Sequence, residues 1–389
     1  FLQTALEDEN ILKIGKQMGF KNFSPGQSTG LVQIYAEIPA NSDGTPATNY
    51  GPIIKRGSTF SSVDGNVFTL GEDINFNGND VDILVSKVDN TTSVPTNYVM
   101  RKSAEVVSGL VETETIFVSD FVRFRKLQIG TELENLIVEV EKVEDADGNE
   151  YFEVENLSQD VVYRDVENKD VNSNGRVPVL MKPFLAPRRF TVERNSSGEV
   201  FLQFGGGSDT DAINDTISDP SKVALQVHAK DYISSTYFDP HVLAYNNKLG
   251  IAPANTTLFI TYRTTSGDIM NAAKGTITNV ANSIVEFADE STLDPVLTSD
   301  VVESLEVDNE EAIVGDVDLP TTDELRQRIL NTFATQNRAV TREDYIYLAY
   351  AMPGRFGSIK RANVLRDPNS QRRNLNMYII STLPNGQLT

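Results

Sequence analysis

The sequence predicts a multidomain α+β protein: an antiparallel β-rich domain followed by a small α+β module, with an N-terminal helix that ends a helical region. Three observations lead there. From Val63 to Val143 short β-branched runs alternate with Asn, Asp and Gly turns, the spacing of an antiparallel β-domain. From Pro320 to Ser381 the pattern changes to helix, loop, helix, turn, strand, turn, strand. The length of 389 residues passes the size at which one core stops growing, so two or three domains are expected. The reading is 1–25 as the end of the N-terminal helical region, 26–285 as β-rich with insertions, 286–320 as an acidic linker, and 321–389 as a truncated α+β module.

Taken in order, Leu2, Leu6, Ile11, Ile14 and Met18 predict one helix over 1–20, closed by Gly19 and Pro25-Gly26. Its apolar face is expected to pack on something outside the chain, which opens on Phe1 and reads as an excerpt of a longer protein. Val32, Ile34, Ala36 and Ile38 alternate with Leu31, Gln33, Tyr35 and Glu37, so Leu31–Ile38 is a strand. After a polar loop over 39–51, strands are expected at Val67–Leu70, Val81–Val88, Val106–Val118 and Leu136–Val143. Arg189 to Gly205 reads as a hairpin turning at Asn195–Gly198, and Leu258, Ile260 and Tyr262 share one face of a later strand. The stretch Asp289–Asp318 looks too polar to bury much and is expected to be extended and mobile.

The module is the most patterned part. Thr321 and Glu324 form a capping box, as do Thr341 and Asp344, with Val340 and Tyr345 placed for a hydrophobic staple. Leu325, Ile329 and Phe333 line one side of the first helix; Tyr345, Leu348, Ala349 and Met352 line one side of the second. Pro353-Gly354 stops it. Strands follow at Ile359–Leu365 and Asn374–Ser381, the latter half-buried through Leu375, Met377 and Ile379.

The formal charge is −21, which argues against a nucleic-acid partner. It is unevenly spread: residues 286–324 hold 14 acidic and no basic residues, whereas 321–373 hold 10 basic and 5 acidic. The asymmetry suggests electrostatic matching between subunits; acidic loops also serve plain solubility, and both readings stay open. There is no cysteine, so disulfides and thiolate chemistry are excluded. No apolar run reaches transmembrane length.

Site chemistry is thin. His228 and His241 lie 13 residues apart, with no Cys, no paired carboxylate at ligand spacing and no Gly-x-Ser-x-Gly elbow. Carboxylate pairs abound among 55 acidic residues and so do not single out a glycosidase. Asp145-Ala-Asp-Gly-Asn149, Asp170–Gly175 and Asn75–Asn79 resemble calcium loops. The Asp170 loop supplies the sixth-position glycine of an EF-hand but has Met181 at the twelfth, the Asp145 loop has Glu150 and Asn156 at those positions, and the Asn75 loop is weaker still. All three read as hairpin turns. Gly205-Gly-Gly207 has no following Lys-Ser/Thr, so it reads as a turn rather than a phosphate cradle. No metal, cofactor, small-molecule substrate or enzyme activity is expected.

The run Gln336-Asn-Arg-Ala-Val-Thr-Arg-Glu-Asp-Tyr345, then an apolar helix, Pro353-Gly354 and a strand, resembles baseplate J-like proteins of contractile phage tails. With Arg355-Phe-Gly-Ser-Ile359 included, the match is similar to the large baseplate wedge subunit family of T-even-type phages. Ile53–Phe60, Phe204-Gly-Gly-Gly207, and Leu249–Gly267 with Asn271 and Lys274-Gly-Thr-Ile277 resemble further segments of that family. The resemblance implies a structural virion protein that pairs with its own copies, joins other wedge proteins and forms the ring around the hub, rearranging when the sheath contracts. It would reside in the tail baseplate, and in the host cytoplasm during assembly. Charge and resemblance together nominate Arg326, Arg328, Lys360, Arg361, Arg372 and Arg373 as partner contacts. The competing class is a tail-fibre-type adhesive or glycan-binding β-protein, which calls for clustered exposed aromatics on a β-surface.

Overall fold

The computed structural model describes residues 2–20, 26–78, 80–131, 135–168, 177, 179–195, 198–208, 249–266, 269–317, 320–336, 338–370 and 374–381. It is mostly antiparallel β-sheet with four helices among these residues.

The chain opens with helix α1 (Asp8–Gln17), followed by β1 (Thr29–Pro39), β2 (Ile53–Ile54), β3 (Thr59–Ser62), β4 (Val67–Leu70) and β5 (Ile74–Asn75). Next are β6 (Asp82–Val88), β7 (Pro95–Ser108), β8 (Leu110–Val118), β9 (Lys126–Ile129), β10 (Leu136–Asp145) and β11 (Glu150–Glu153). Then come β12 (Val161–Glu167), β13 (Val179–Leu185), β14 (Arg189–Arg194), β15 (Val200–Phe204), β16 (Thr256–Thr265), β17 (Ile277–Asn282) and β18 (Val285–Glu286). Helix α2 (Pro295–Glu303) and β19 (Glu306–Asp308) lead to helices α3 (Thr322–Thr335) and α4 (Arg342–Tyr350), and the chain reaches β20 (Arg361–Arg366) and β21 (Leu375–Ile380). Contacts divide it into two compact units: Phe1–Glu112 with Glu134–Glu139 and Arg263–Thr389, and Thr113–Leu133 with Val140–Tyr262.

The first unit is built on a sheet ordered β17-β3-β4-β7-β1-β19, with β6 also on β7. β1 shows why it forms. Val32, Ile34, Ala36 and Ile38 have no exposed surface, and the alternate residues face away, as a period of two requires. They share a core with Phe60, Phe68, Phe76 and Met100. The two ends of the strand order meet at Asn309, which is wholly buried. Its Oδ1 accepts from the amides of Thr276 and Ile277 at 3.0 and 2.9 Å, its Nδ2 donates to the carbonyls of Ala273 and Glu311, and its carbonyl accepts from Gly275. A buried amide side chain is tolerated only when its donors and acceptors are filled in this way.

The acidic stretch 286–320 is therefore no linker. Asp294 caps α2, accepting from the Val296 amide at 2.9 Å, and Pro295 opens the first turn. Val301, Leu305, Val307 and Ile313 enter the core of the first unit, and β19 pairs with β1, Val307 opposite Ile34. Glu303, Glu306, Glu310 and Glu311 all point to solvent. Average polarity concealed a buried residue at every second to sixth position.

The N-terminal helix is also shorter than the sequence suggests, and its partner is in the chain. Ile11 and Leu2 pack with Phe20, Leu325 and Ile329, while Leu6 is exposed. The approach of α1 to α3 needs Gly15: a Cβ there would lie 2.7 Å from Ile329 Cδ1. Both expected capping boxes are present, at Thr321/Glu324 and Thr341/Asp344. Three face assignments fail. Phe333 is exposed; on α4 the buried residue is Tyr347, its hydroxyl paired with that of Thr332, whereas Leu348 is half-buried; and Val340 is 75% exposed, so no staple closes over it.

The second unit carries a sheet ordered β8-β16-β10-β11-β14-β15-β9. The β14–β15 hairpin pairs Phe190 with Phe204 and Arg194 with Val200, as the alternation predicts. Phe204 meets Tyr151 edge-on with ring centres 5.5 Å apart, a favoured aromatic geometry. Beside this core, β12 and β13 form a two-stranded hairpin. The expected continuous strand 106–118 is broken at Gly109, whose φ of +94° separates β7 from β8 and is accessible at no cost only to glycine.

Candidate interaction surface

The candidate surface is the β20–β21 hairpin and the basic residues around it. Pro353-Gly354 ends α4, and a 3-10 turn over Gly354–Phe356 redirects the chain. The backbone is anchored there: the Gln27 amide donates to the Gly354 carbonyl at 3.1 Å, and the Ser358 amide donates to the Gly315 carbonyl. Lys360 then donates its backbone N–H to the Ile380 carbonyl at 3.2 Å, and the hairpin runs in register with Val364 opposite Met377.

Two of the six nominated cations serve the chain's own fold. Arg326 donates to Asp323 Oδ1 at 2.5 Å and to the carbonyl of Ala5 at 2.6 Å, and its side chain is only 21% exposed. It clasps α3 to the segment preceding α1. Arg328 lies 5.7 Å from the centre of the Tyr350 ring, a cation–π distance. Burial lowers its guanidinium pKa, and the nearby Glu324 carboxylate opposes that shift. Lys360 and Arg361 stand at the hairpin base; Arg361 is exposed and its Nη1 is 3.8 Å from Glu324 Oε1. Arg372 and Arg373 lie outside the described residues.

The residues that sequence reasoning misplaced are apolar. Leu375, Met377 and Ile379 are 47%, 43% and 53% exposed. Their partner strand β20 buries Val364, and its Ala362 amide donates to the Tyr350 hydroxyl at 2.9 Å. Helix α4 packs on β20 around Val364, and every residue of β21 stays exposed or half-exposed, so the expected half-burial fails for want of a second layer. The available signal was that β21 holds no charged residue at all.

The other motifs resolve as structural. Asp145 Oδ1 accepts from the amides of Asp147 and Asn149 at 3.0 and 2.8 Å, so its carboxylate holds the β10–β11 turn. In the Asn75 loop, Lys102 Nζ binds the Asn75 carbonyl at 3.0 Å and Asp80 Oδ1 at 2.9 Å, occupying the position a cation would take. The loop Asp170–Gly175, His228 and His241 lie outside the described residues. Among the described residues no group of three or more His, Asp and Glu is placed to hold a metal. Gly205-Gly-Gly207 is a chain crossing. A Cβ at Gly205 would fall inside the Gly250 carbonyl, and the Gly207 amide donates to that same oxygen at 3.0 Å.

No protein-family model and no curated protein matches this chain. The surface therefore has to be read from its own chemistry: a neutral apolar strand with one edge unpaired among the described residues, beside the arginines of β20, in a chain that is otherwise strongly acidic. Among the described residues no helix is long and apolar enough to cross a membrane.

Proposed function

We propose that this chain is a structural subunit of a contractile phage tail baseplate, a wedge component that joins copies of itself and other wedge proteins into the ring around the hub. The observation that carries the reading is the order of the module. Two capped helices, Thr321/Glu324 and Thr341/Asp344, are followed by the Pro353-Gly354 stop, the Arg355–Ile359 turn and an exposed hairpin. The order of helix, Pro-Gly stop, turn and strand is what the wedge-family resemblance implies; the exposure of the hairpin is an addition to it. The segments that carry the rest of the resemblance fall at chain crossings. Gly205 meets Leu249 and Gly250, Asn271 exchanges hydrogen bonds with Asp316, and Thr276-Ile277 sits on Asn309. Such blocks suit a rigid framework that transmits load. The finer architecture proposed is a β-rich body carrying this α+β module as its contact element.

The test is to add a small label at an exposed loop such as that around Asp64 and image assembled tails. Label in the ring around the hub is the expected result; label on fibres overturns the reading. One observation favours the adhesive alternative: Phe117 and Phe259 are exposed on neighbouring strands β8 and β16, beside the paired hydroxyls of Thr113 and Thr261. A glycan array with purified protein tests it directly, and the expected outcome is no specific binding.

A further inference from the structure

We infer that copies of this chain join edge to edge, strand β21 of one copy pairing with strand β8 of the next. The inference deepens the wedge reading and rests on it only in taking a second copy as the partner.

A sheet edge presents unpaired N–H and C=O groups, and natural proteins guard such edges with charge, proline, bulges or brevity. Most edges described here are guarded. β6 carries Asp82 and Lys87 and two register shifts against β7. β13 contains Lys182 and Pro183, and β12 contains Arg164 and Asp165. β9 is four residues long and begins at Lys126, while β17 and β19 close on each other through Asn309.

Two edges are open. β21 has no charge, proline or glycine over Leu375–Ile380. β8 runs nine residues, ends its sheet with β16 as its one neighbour among the described strands, and contains no Lys, Arg, Pro or Gly. Each bears exposed apolar side chains, Met377 and Ile379 on one and Leu110 and Phe117 on the other.

Charge selects how they mate. β8 carries Glu112 and Glu114, both half-exposed; Glu114 accepts from the Gly130 amide at 2.8 Å and Glu112 lies 3.4 Å from the Thr264 hydroxyl. β21 is flanked one strand away by Arg361 and Arg366, both exposed on β20. Pairing β8 with β8 would set glutamates against glutamates, and pairing β21 with β21 would bring two arginine-bearing hairpins together. Like charges across strands are unfavourable. Pairing β21 with β8 avoids both conflicts and places the arginines where they steer approach rather than form close pairs. Such a contact is heterologous, so it generates a ring or an open filament rather than a closed two-fold dimer.

The test uses the isolated chain and two edge-blocking variants at exposed positions, Met377→Lys and Phe117→Lys, each checked for a parent-like circular dichroism spectrum. Sedimentation of the parent is expected to show concentration-dependent association, and each variant alone to lose at least about tenfold in association constant. Mixing the two variants is expected to restore a complex that stops at two chains, because each retains one intact edge. Because the chain lacks cysteine, Met377→Cys mixed with Thr115→Cys is further expected to give a disulfide-linked pair under oxidation. The proposal is overturned if the parent stays monomeric, if Phe117→Lys associates like the parent (β21 would then pair with itself), or if the mixed variants stay monomeric. Association of the isolated chain with no incorporation into tails would leave the pairing standing and remove the wedge reading.

Discussion

Replacing Ile329 by alanine tests the seam between α1 and α3. Ile329 has no exposed surface and packs with Ile11, Leu325 and Phe20. The change removes three carbons, about 2.4 kcal/mol at roughly 0.8 kcal/mol per buried methylene. A residual cavity of some 40 Å³ adds about 1 kcal/mol at roughly 24 cal/mol per Å³. The expected loss is thus about 3 kcal/mol, within the range for such truncations. Gly15 supplies the internal control. In the parent, Gly15→Ala gains about 1 kcal/mol of helix propensity but places its Cβ 2.7 Å from Ile329 Cδ1, so the net effect is destabilising. In the Ile329→Ala background the clash disappears and the methyl partly refills the space, so the same change stabilises. The coupling should exceed about 1 kcal/mol. Urea titration with amide exchange followed in α1 and α3 reports on this seam specifically. A loss below about 0.5 kcal/mol for Ile329→Ala, or additivity of the two changes, refutes the packing argument.

Other expectations follow from single contacts. The Asp344 carboxyl is held below the usual carboxylate range, first by the Thr341 amide and then by that of Val340. Its contribution to α4 is therefore present above the ordinary aspartate pKa and lost as pH falls through the lowered folded value, so exchange of the first-turn amides of α4 should quicken in acid, and Asp344→Asn should remove that dependence. Thr341→Ala should cost about 1 kcal/mol by removing the cap, measured by urea midpoint. Asn309→Ala should cost more than about 3 kcal/mol, since it strands the amides of Thr276 and Ile277 and the carbonyl of Ala273; a melting temperature within a degree of the parent would contradict this. Gly205→Ala should abolish soluble folding because backbone occupies the Cβ position, whereas Gly65→Ala, with nothing within 4 Å and a φ of +89°, should cost only about 1 kcal/mol of left-handed strain.

What was legible in the sequence was whatever depends on neighbours along the chain. β1 alternates strictly and folds as it reads; both capping boxes need only residues three apart; the Asn195–Gly198 turn sets the β14–β15 register. What was hidden depends on which surfaces meet. Val307 and Ile313 are core residues only because β19 finds β1, some 270 positions earlier, a pairing no local window can register. Met377 and Ile379 alternate as a buried face should, yet helix α4 packs on β20 and leaves them exposed. On α4, Tyr347 lies inside because its hydroxyl finds Thr332, outranking the apolar stripe through Leu348. The candidate surface was found by charge in its location but not in its substance: Arg326 and Arg328 were read as outward contacts and hold the chain together internally.

The closure at Asn309 bears on how the chain is made. Residues 113–133 and 140–262 form the second unit and are translated between the two halves of the first. While a ribosome proceeds at about 5–20 residues per second, the edge of β1 waits, unpaired and rich in valine and isoleucine, until residue 309 has emerged. The inserted unit can complete its own pairings earlier. Synthesis thus passes through an interval of some ten seconds or more in which the second edge of β1 is open to any passing strand, and a holdase or rapid production of the inserted unit is expected to matter more for yield than the final stability of either sheet.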